Sequence, residues 1–225
     1  MGQLALDLGN RPAFGREDFL VAPCNAEAVA WLDRWTLWPA PALVLHGPAG
    51  CGKSHLVQVW RMQSAAAGIE RDRLTVSSLA ERLADRRDVY LEDVDNGIDE
   101  QALLHLYNLI SERAGHLLLT ARRPPVLWKL RLADLRSRLL AAPAVSVAAP
   151  DEALISGLLV KLFADRQLRV GADLIAYLVP RMERSFDAAR RLVDALDKTA
   201  LASQRRITVP LARSVLGRLE GCGEI

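Results

Sequence analysis

Short apolar runs alternate along the first two thirds of the chain with longer segments whose apolar positions recur at helical spacing. Strands are predicted at residues 42–46, 89–91, 117–120 and 144–147, and a weaker one at 74–76. Amphipathic helices are predicted at 25–38, 54–66 and 99–113. Because strands of a parallel sheet are buried on both faces, near-continuous apolar strands between helices predict an α/β fold with the sheet covered on both sides.

The pattern changes after Pro150, where only helical periodicity remains. Helices are predicted at residues 151–165, 172–179, 186–203 and 210–219, and no segment there favours a strand. The chain therefore divides into a tail over 1–16, an α/β domain over 17–150 and a small all-α domain over 151–225.

Composition places the chain among ordinary globular proteins. It has 225 residues, 51% of them hydrophobic and 25% charged, with a net charge of +2. This balance excludes a disordered chain and a protein that binds nucleic acid by charge alone. The three cysteines show no metal-ligand spacing, and the longest uncharged run, 36–52, is broken by prolines. A cytoplasmic protein without a membrane partner is expected.

The strongest chemical signal is a phosphate-binding loop directly after the first strand. The sequence Gly47-Pro48-Ala49-Gly50-Cys51-Gly52-Lys53-Ser54 fits GxxxxGK[ST] at every fixed position. Backbone N–H groups of such a loop and the start of the following helix bind phosphate oxygens. Lys53 is expected on the β- and γ-phosphates and Ser54 on Mg²⁺, with His55 next to them in the nucleotide-binding set.

Two further strand ends supply the polar groups that a phosphate site needs. Val89–Leu91 is followed by Glu92 and Asp93, which are candidates for the metal and for the attacking water, with Glu92 expected on Mg²⁺ beside Ser54. An acidic turn exposed to solvent is the alternative, since Asp95 and Asp99 follow. Thr120 ends a third strand, where its hydroxyl could meet a γ-phosphate or a water.

Two arginines are candidates for action on a nucleotide. Arg138 lies in a basic stretch over residues 121–140 and is predicted to act as a finger on a neighbour's nucleotide, although an exposed basic face would look the same. In the helix over 186–203, Arg191 falls opposite the apolar stripe. Arg190 lies at its flank and is predicted to reach the nucleotide.

These pieces, in this order, resemble an AAA+ module, and more narrowly the DnaA family. Leu119-Thr120-Ala121-Arg122-Arg123-Pro124-Pro125 is similar to that family's LTSDRPP stretch, and Leu135-Arg136-Ser137-Arg138 to its LKSR box. The resemblance spans about residues 17–220. It implies a P-loop AAA+ parallel sheet sandwiched by helices and followed by an α-helical lid, with ADP or ATP and Mg²⁺ as cofactors.

The N-terminal tail narrows the resemblance. Gln3-Leu4-Ala5-Leu6-Asp7-Leu8 is similar to the QLxLxL peptide that docks on the replicative sliding clamp, with Gln3, Leu4, Leu6 and Leu8 as its contact residues. A first β-strand with alternating leucines is the alternative. Together with the apparent lack of the DnaA interaction and DNA-binding domains, the tail resembles the Hda family of DnaA-homologous regulatory inactivators.

That resemblance implies specific partners. Members of the family, in their ADP-bound form and tethered to a clamp on DNA, promote hydrolysis of ATP bound to DnaA. DnaA and the polymerase III sliding clamp are thus the expected partners, DNA is reached indirectly through the clamp, and a homo-oligomer is possible. At most weak intrinsic ATPase activity is expected.

Other functions stay open at this stage. An autonomous AAA+ ATPase similar to a helicase loader would use Lys53, Asp93 and Thr120 for its own turnover, and a small-molecule kinase is a weaker alternative. Two departures from the DnaA pattern bear on the choice. Glu92 replaces the usual first aspartate, and Arg122 replaces an acidic residue.

Overall fold

The first domain is built on a parallel sheet at its centre. The computed structural model describes residues 20–83 and 86–221. Within these, the strands are β1 (Ala42–His46), β2 (Ala67–Gly68), β3 (Val89–Leu91), β4 (Leu117–Ala121) and β5 (Ala144–Ser146), in the order β2-β3-β4-β1-β5. Every neighbouring pair is parallel, with Leu43 beside Leu118 and Leu91 beside Leu119. The carboxyl ends of all strands therefore meet at one edge of the sheet.

Helices cover both faces of this sheet. Leu43 and Leu45 of β1 point into a core shared with α1 (Ala26–Asp33) and α2 (Lys53–Ser64). Ala42 and Val44 point into the opposite core, shared with α3 (Val76–Leu83), α4 (Glu100–Glu112) and α5 (Ala133–Ala141). Alternate residues of one strand thus enter two cores, which is why the strand sequence is apolar throughout.

One predicted strand is wrong. Leu74 closes a 3₁₀ turn over Arg71–Arg73, and Val76 begins helix α3. Leu79 and Leu83 are both buried and lie one helical turn apart, which is helical spacing. The prediction is based on the short apolar run at 74–76 and misses this periodicity. The edge strand β2 lies earlier in the chain, at Ala67–Gly68. Two small residues are too few to show a hydrophobic pattern typical of a strand.

The second domain is a bundle of helices with its own core. It contains α6 (Glu152–Asp165), α7 (Ala172–Leu178), α8 (Phe186–Ser203) and α9 (Val209–Gly221). Its buried residues come from all four helices, and Leu20, Ala22 and Cys24 also pack against them. This domain, called the lid below, confirms the predicted fold class of a helix-covered parallel sheet followed by an all-α unit.

In the described parts of the chain no helix is long and apolar enough to cross a membrane. The predicted clamp-binding residues Gln3, Leu4, Leu6 and Leu8 lie outside the described residues.

Candidate nucleotide site

The glycine-rich loop lies where β1 ends and α2 begins. Gly52, with a φ of 101°, precedes the first helical residue, Lys53. The Lys53 side chain is 7% exposed and donates from Nζ to the carbonyl oxygens of Gly47 and Pro48, at 2.8 Å each. A buried ammonium is tolerable only when it is hydrogen-bonded, so these carbonyl groups fix the cation at the centre of the loop.

The predicted acidic strand end meets the start of α2. The Ser54 hydroxyl donates to the Glu92 carboxylate across 38 residues of sequence. Asp93, the next residue, is exposed and has a φ of 52°, so the chain turns sharply after Glu92. The two adjacent acids therefore have different surroundings, and Glu92 is the one in contact with the phosphate-binding loop's helix.

Thr120 supports this turn. Its side chain is 1% exposed, and its hydroxyl accepts the backbone N–H of Asp93 at 3.1 Å, while its carbonyl oxygen accepts the N–H of Val94 at 2.9 Å. The structure thus brings Thr120 to the backbone of the acidic turn. Its predicted contact with a γ-phosphate or water stays a prediction.

Asp95 ties the ends of β3 and β4 together, a role that the sequence did not predict. Its side chain is 1% exposed, and its two oxygens accept the backbone N–H groups of Arg122 and Arg123 at 3.1 Å each. Arg123 Nε also lies 3.6 Å from the carboxylate. The alternative of a solvent-exposed acidic turn therefore does not hold for Asp95, because its carboxylate is buried and accepts two backbone N–H groups.

The lid contacts the glycine-rich loop directly. The Gly50 carbonyl oxygen accepts the N–H of Phe186 at 2.9 Å, and Ser185 caps α8 through a 3.1 Å bond from the Ala188 N–H. A Cβ at Gly50 would lie 2.4 Å from the Ser185 Cβ, and one at Gly52 would lie 3.3 Å from the Phe186 ring. The absence of side chains at these glycines is what lets the first turn of α8 approach the loop.

Arg190 reaches the same helix that carries the lysine and serine. Its guanidinium lies 3.3 Å from the Nδ1 of His55, one residue after Ser54. Arg190 is half-buried, whereas its neighbour Arg191 is exposed. The structure therefore places Arg190, from the lid, against helix α2, which follows the glycine-rich loop.

Burial and the Lys53 charge set the protonation of nearby groups. Burial, aided by the positive charge of Lys53, lowers the pKa of His46 below its ordinary value of 6.5. Burial raises the pKa of the Cys51 thiol, although Lys53 opposes the shift. At neutral pH both groups are therefore uncharged, and Lys53 is the cation of the loop.

The donor set suits a magnesium-bound nucleotide. The oxygen ligands that Mg²⁺ prefers are present as the Ser54 hydroxyl and the Glu92 carboxylate, which already meet. In the described residues no group of three or more His, Cys, Asp or Glu side chains forms a metal cage. Mg²⁺ typically takes one or two protein oxygens and completes its shell with phosphates and water, so the two residues fit it as a nucleotide-borne ion.

Arg138 lies on a different surface. Its Nε is 3.1 Å from Asp134 one turn earlier in α5, and its guanidinium carbon is 5.4 Å from the centre of the Tyr107 ring in α4. Neither of these partners belongs to the glycine-rich loop or to α2. The structure thus brings together the loop, Glu92, Asp93, Thr120 and Arg190, and leaves Arg138 apart from them.

Comparisons with known proteins found a family model that matches part of the lid and a relative that matches most of the chain. The family model described as "Hda, lid domain" matches residues 157–216. An uncharacterized protein of Haemophilus influenzae is 25% identical over 189 residues, which cover 78% of this chain and 81% of the relative.

Among solved structures, domain III of the Thermotoga maritima replication initiation protein DnaA is similar with a TM-score of 0.77 at 18% identity, over 92% of this chain and 97% of that one. AMPPCP-bound DnaA from Aquifex aeolicus gives 0.66 at 17% identity, over 83% of this chain and 66% of that one. The chain therefore has the fold of DnaA domain III, and residues 157–216 of its lid match the Hda lid model.

Proposed function

We propose that the protein regulates the initiation of chromosome replication by presenting Arg138 to ATP bound by DnaA. One observation supports this most directly. The partners of Arg138, Asp134 and Tyr107, lie outside the chain's own candidate nucleotide site, and the Arg138 side chain is 36% exposed, so it is accessible to a second molecule. A guanidinium supplied in trans to a phosphoryl-transfer site raises the rate by about 10³–10⁵.

The chain's own site then binds ADP or ATP as a conformational ligand. Lys53 and the loop N–H groups bind the phosphates, Ser54 and Glu92 hold Mg²⁺, and Arg190 joins from the lid. Mg²⁺ would neutralise phosphate charge there. Because the loop and α8 are in direct contact through Gly50 and Phe186, a bound nucleotide would bias the position of the lid. The AMPPCP complex of the Aquifex DnaA supports a nucleotide in this fold.

The tail would bring the protein to DNA. In this proposal Gln3, Leu4, Leu6 and Leu8 bind the sliding clamp, and the clamp supplies the position on DNA. The charge balance supports an indirect route, because a net charge of +2 gives little general attraction to phosphates.

Replacing Arg138 tests the proposal. Arg138→Ala is expected to leave ADP binding unchanged and to lower the stimulated hydrolysis of DnaA-bound ATP by at least 100-fold, since the transferred charge loses its guanidinium. Arg136→Ala is the matched control, because Arg136 is exposed on the same helix. Radiolabelled ATP on DnaA reports the rate, and full stimulation by Arg138→Ala would refute the proposed role.

One observation favours an autonomous ATPase as the second candidate. Glu92 contacts Ser54, and the next residue, Asp93, is exposed to solvent, where its carboxylate is accessible to a water. Turnover of ATP by the isolated chain that Asp93→Asn abolishes would support this candidate over the regulatory one.

A further inference from the structure

The guanidinium of Arg138 is held by one edge and open along the other. Its Nε donates to the Asp134 carboxylate at 3.1 Å. In the described residues its two terminal nitrogens make no hydrogen bond. Arginine has five N–H donors in a rigid planar fork, and the terminal edge is the one that binds two phosphate oxygens at once.

The Tyr107 ring supports the same guanidinium from α4. The Arg138 carbon lies 5.4 Å from the ring centroid, within the range of a cation–π contact. Tyr107 is only 5% exposed and belongs to the core beneath α5, so its ring position is fixed by packing. The arginine therefore has a rigid aromatic support and a carboxylate anchor.

We propose that Asp134 and Tyr107 are positioning residues that present Arg138 with its terminal edge preformed for the phosphate of another molecule. A free arginine side chain loses rotamer entropy when it is fixed. Holding it in advance removes part of that loss from the binding step. The inference rests on the proposed function of Arg138.

Asp134 does not hold Arg138 away from a phosphate. The carboxylate is 57% exposed and binds through Nε alone, so the pair is a weak surface contact that leaves the phosphate-binding edge available. In the hydrolysis step a water oxygen bonds to the γ-phosphorus, the bond to the β–γ bridging oxygen breaks, and ADP, phosphate and a proton leave. Arg138 forms no covalent bond and stabilises the charge on the transferred group.

The test measures stimulated hydrolysis of DnaA-bound ATP as a function of the concentration of this protein. Asp134→Ala and Tyr107→Leu are each expected to lower the maximal rate by about two- to fivefold, with the half-saturating concentration unchanged. Asp134→Asn keeps an acceptor for Nε and Tyr107→Phe keeps the ring, so both should retain a larger share of the rate. Asp165→Ala removes a comparable surface pair with Lys161 in the lid and is the matched control.

The outcomes separate the inference from the function. If Arg138→Ala abolishes stimulation while Asp134→Ala and Tyr107→Leu keep the full rate, the positioning role is refuted, and the proposed role of Arg138 is supported. If Asp134→Ala raises the rate, the carboxylate restrains Arg138 instead, and the inference is overturned. If the Arg138→Ala variant stimulates hydrolysis normally, the proposed function is refuted, and the positioning role that rests on it is refuted as well. Thermal unfolding of each variant shows that the measured chains are folded.

Discussion

Lys53 is a buried cation whose charge is held by backbone carbonyl groups. Its Nζ contacts the carbonyl oxygens of Gly47 and Pro48, and the Cys51 sulfur lies 3.8 Å away. Because the neighbouring Cys51 and His46 are neutral near pH 7, no nearby anion in the loop compensates Lys53. An anionic ligand would be attracted to this loop, as a phosphate is.

Removing this cation should weaken nucleotide binding. Lys53→Ala is expected to lower the affinity for ADP by about 10- to 100-fold, since charge-assisted hydrogen bonds contribute about 1.5–3 kcal/mol. Titration calorimetry measures the affinity. Arg61→Ala, an exposed cation at the far end of the same helix, should bind ADP as the unmodified chain does. Equal affinity for Lys53→Ala would mean that the loop does not bind the phosphates.

Residues of the site differ in how far the sequence alone reveals them. Lys53, Ser54 and Glu92 could be predicted, because fixed spacing within a motif or a strand end placed them. Asp95 could not, since its partners, the N–H groups of Arg122 and Arg123, lie 27 and 28 residues away. A buried carboxylate bound to backbone N–H groups has no local pattern. Ser185 did carry a signal, as a serine directly before a helix is a favoured N-cap.

At the scale of elements, strand length decided which parts of the fold were predictable. β1 and β3 were predicted with their observed bounds, because each is an apolar run between turns. β2 has two residues and no side-chain pattern, and it pairs with β3 through its backbone. Its place in the sheet depends on pairing with a strand that is distant in sequence, and hydrophobic periodicity cannot predict such pairing.

The junction between the glycine-rich loop and α8 links the two domains. Gly50 has a φ of 70°, and a side chain there would press on Ser185. Gly97 has a similar φ of 77°, but a Cβ there would meet nothing within 4 Å. The two glycines thus share the backbone requirement and differ in the contact with the lid.

Comparing alanine at these two positions isolates the lid contact. Gly97→Ala should lower the free energy of unfolding by about 1–2 kcal/mol through backbone strain alone. Gly50→Ala should cost about 1–3 kcal/mol more, because the added methyl group overpacks against Ser185, and should also weaken ADP binding. Chemical denaturation measures the free energy of unfolding, and calorimetry measures the affinity for ADP.

A double substitution supplies the control. Ser185→Gly removes the clashing Cβ and, as an N-cap change to glycine, costs only a few tenths of a kcal/mol. Gly50→Ala with Ser185→Gly should therefore recover most of the additional loss, as a coupling between two touching residues. If Gly50→Ala and Gly97→Ala have equal effects, the loop and α8 do not constrain each other.

At the scale of the whole molecule, two arginines with proposed roles have different surroundings. Arg190 joins the lid to the chain's own nucleotide segment through His55, whereas Arg138 lies with Tyr107 and Asp134 on the surface formed by α4 and α5. Under the proposed function, this arrangement would let the protein bind one nucleotide and act on another. In the proposed function the clamp supplies the position on DNA, which agrees with a net charge of +2 that gives little general attraction to phosphates.

The tail is proposed to supply that location, and the spacing of its leucines gives a sharp test. In an extended peptide alternate side chains share one face, so Leu4, Leu6 and Leu8 would enter the clamp while Ala5 and Asp7 would not. Replacing Leu6 and Leu8 by serine should weaken binding at least tenfold, since each buried leucine contributes about 1.5–3 kcal/mol. Ala5→Ser with Asp7→Asn is the matched control and should bind normally.

Deleting residues 2–8 extends this test to the function. Capture by immobilised clamp should be lost, and stimulated hydrolysis of DnaA-bound ATP should no longer depend on clamp loaded on DNA. ADP affinity should stay the same, because the deletion removes none of the residues that are proposed to bind the nucleotide. If the shortened chain still binds the clamp and stimulates as before, the tail is not the tether. The basic surface around Arg138 would then be the next candidate for recruitment, and its exposed arginines the next residues to replace.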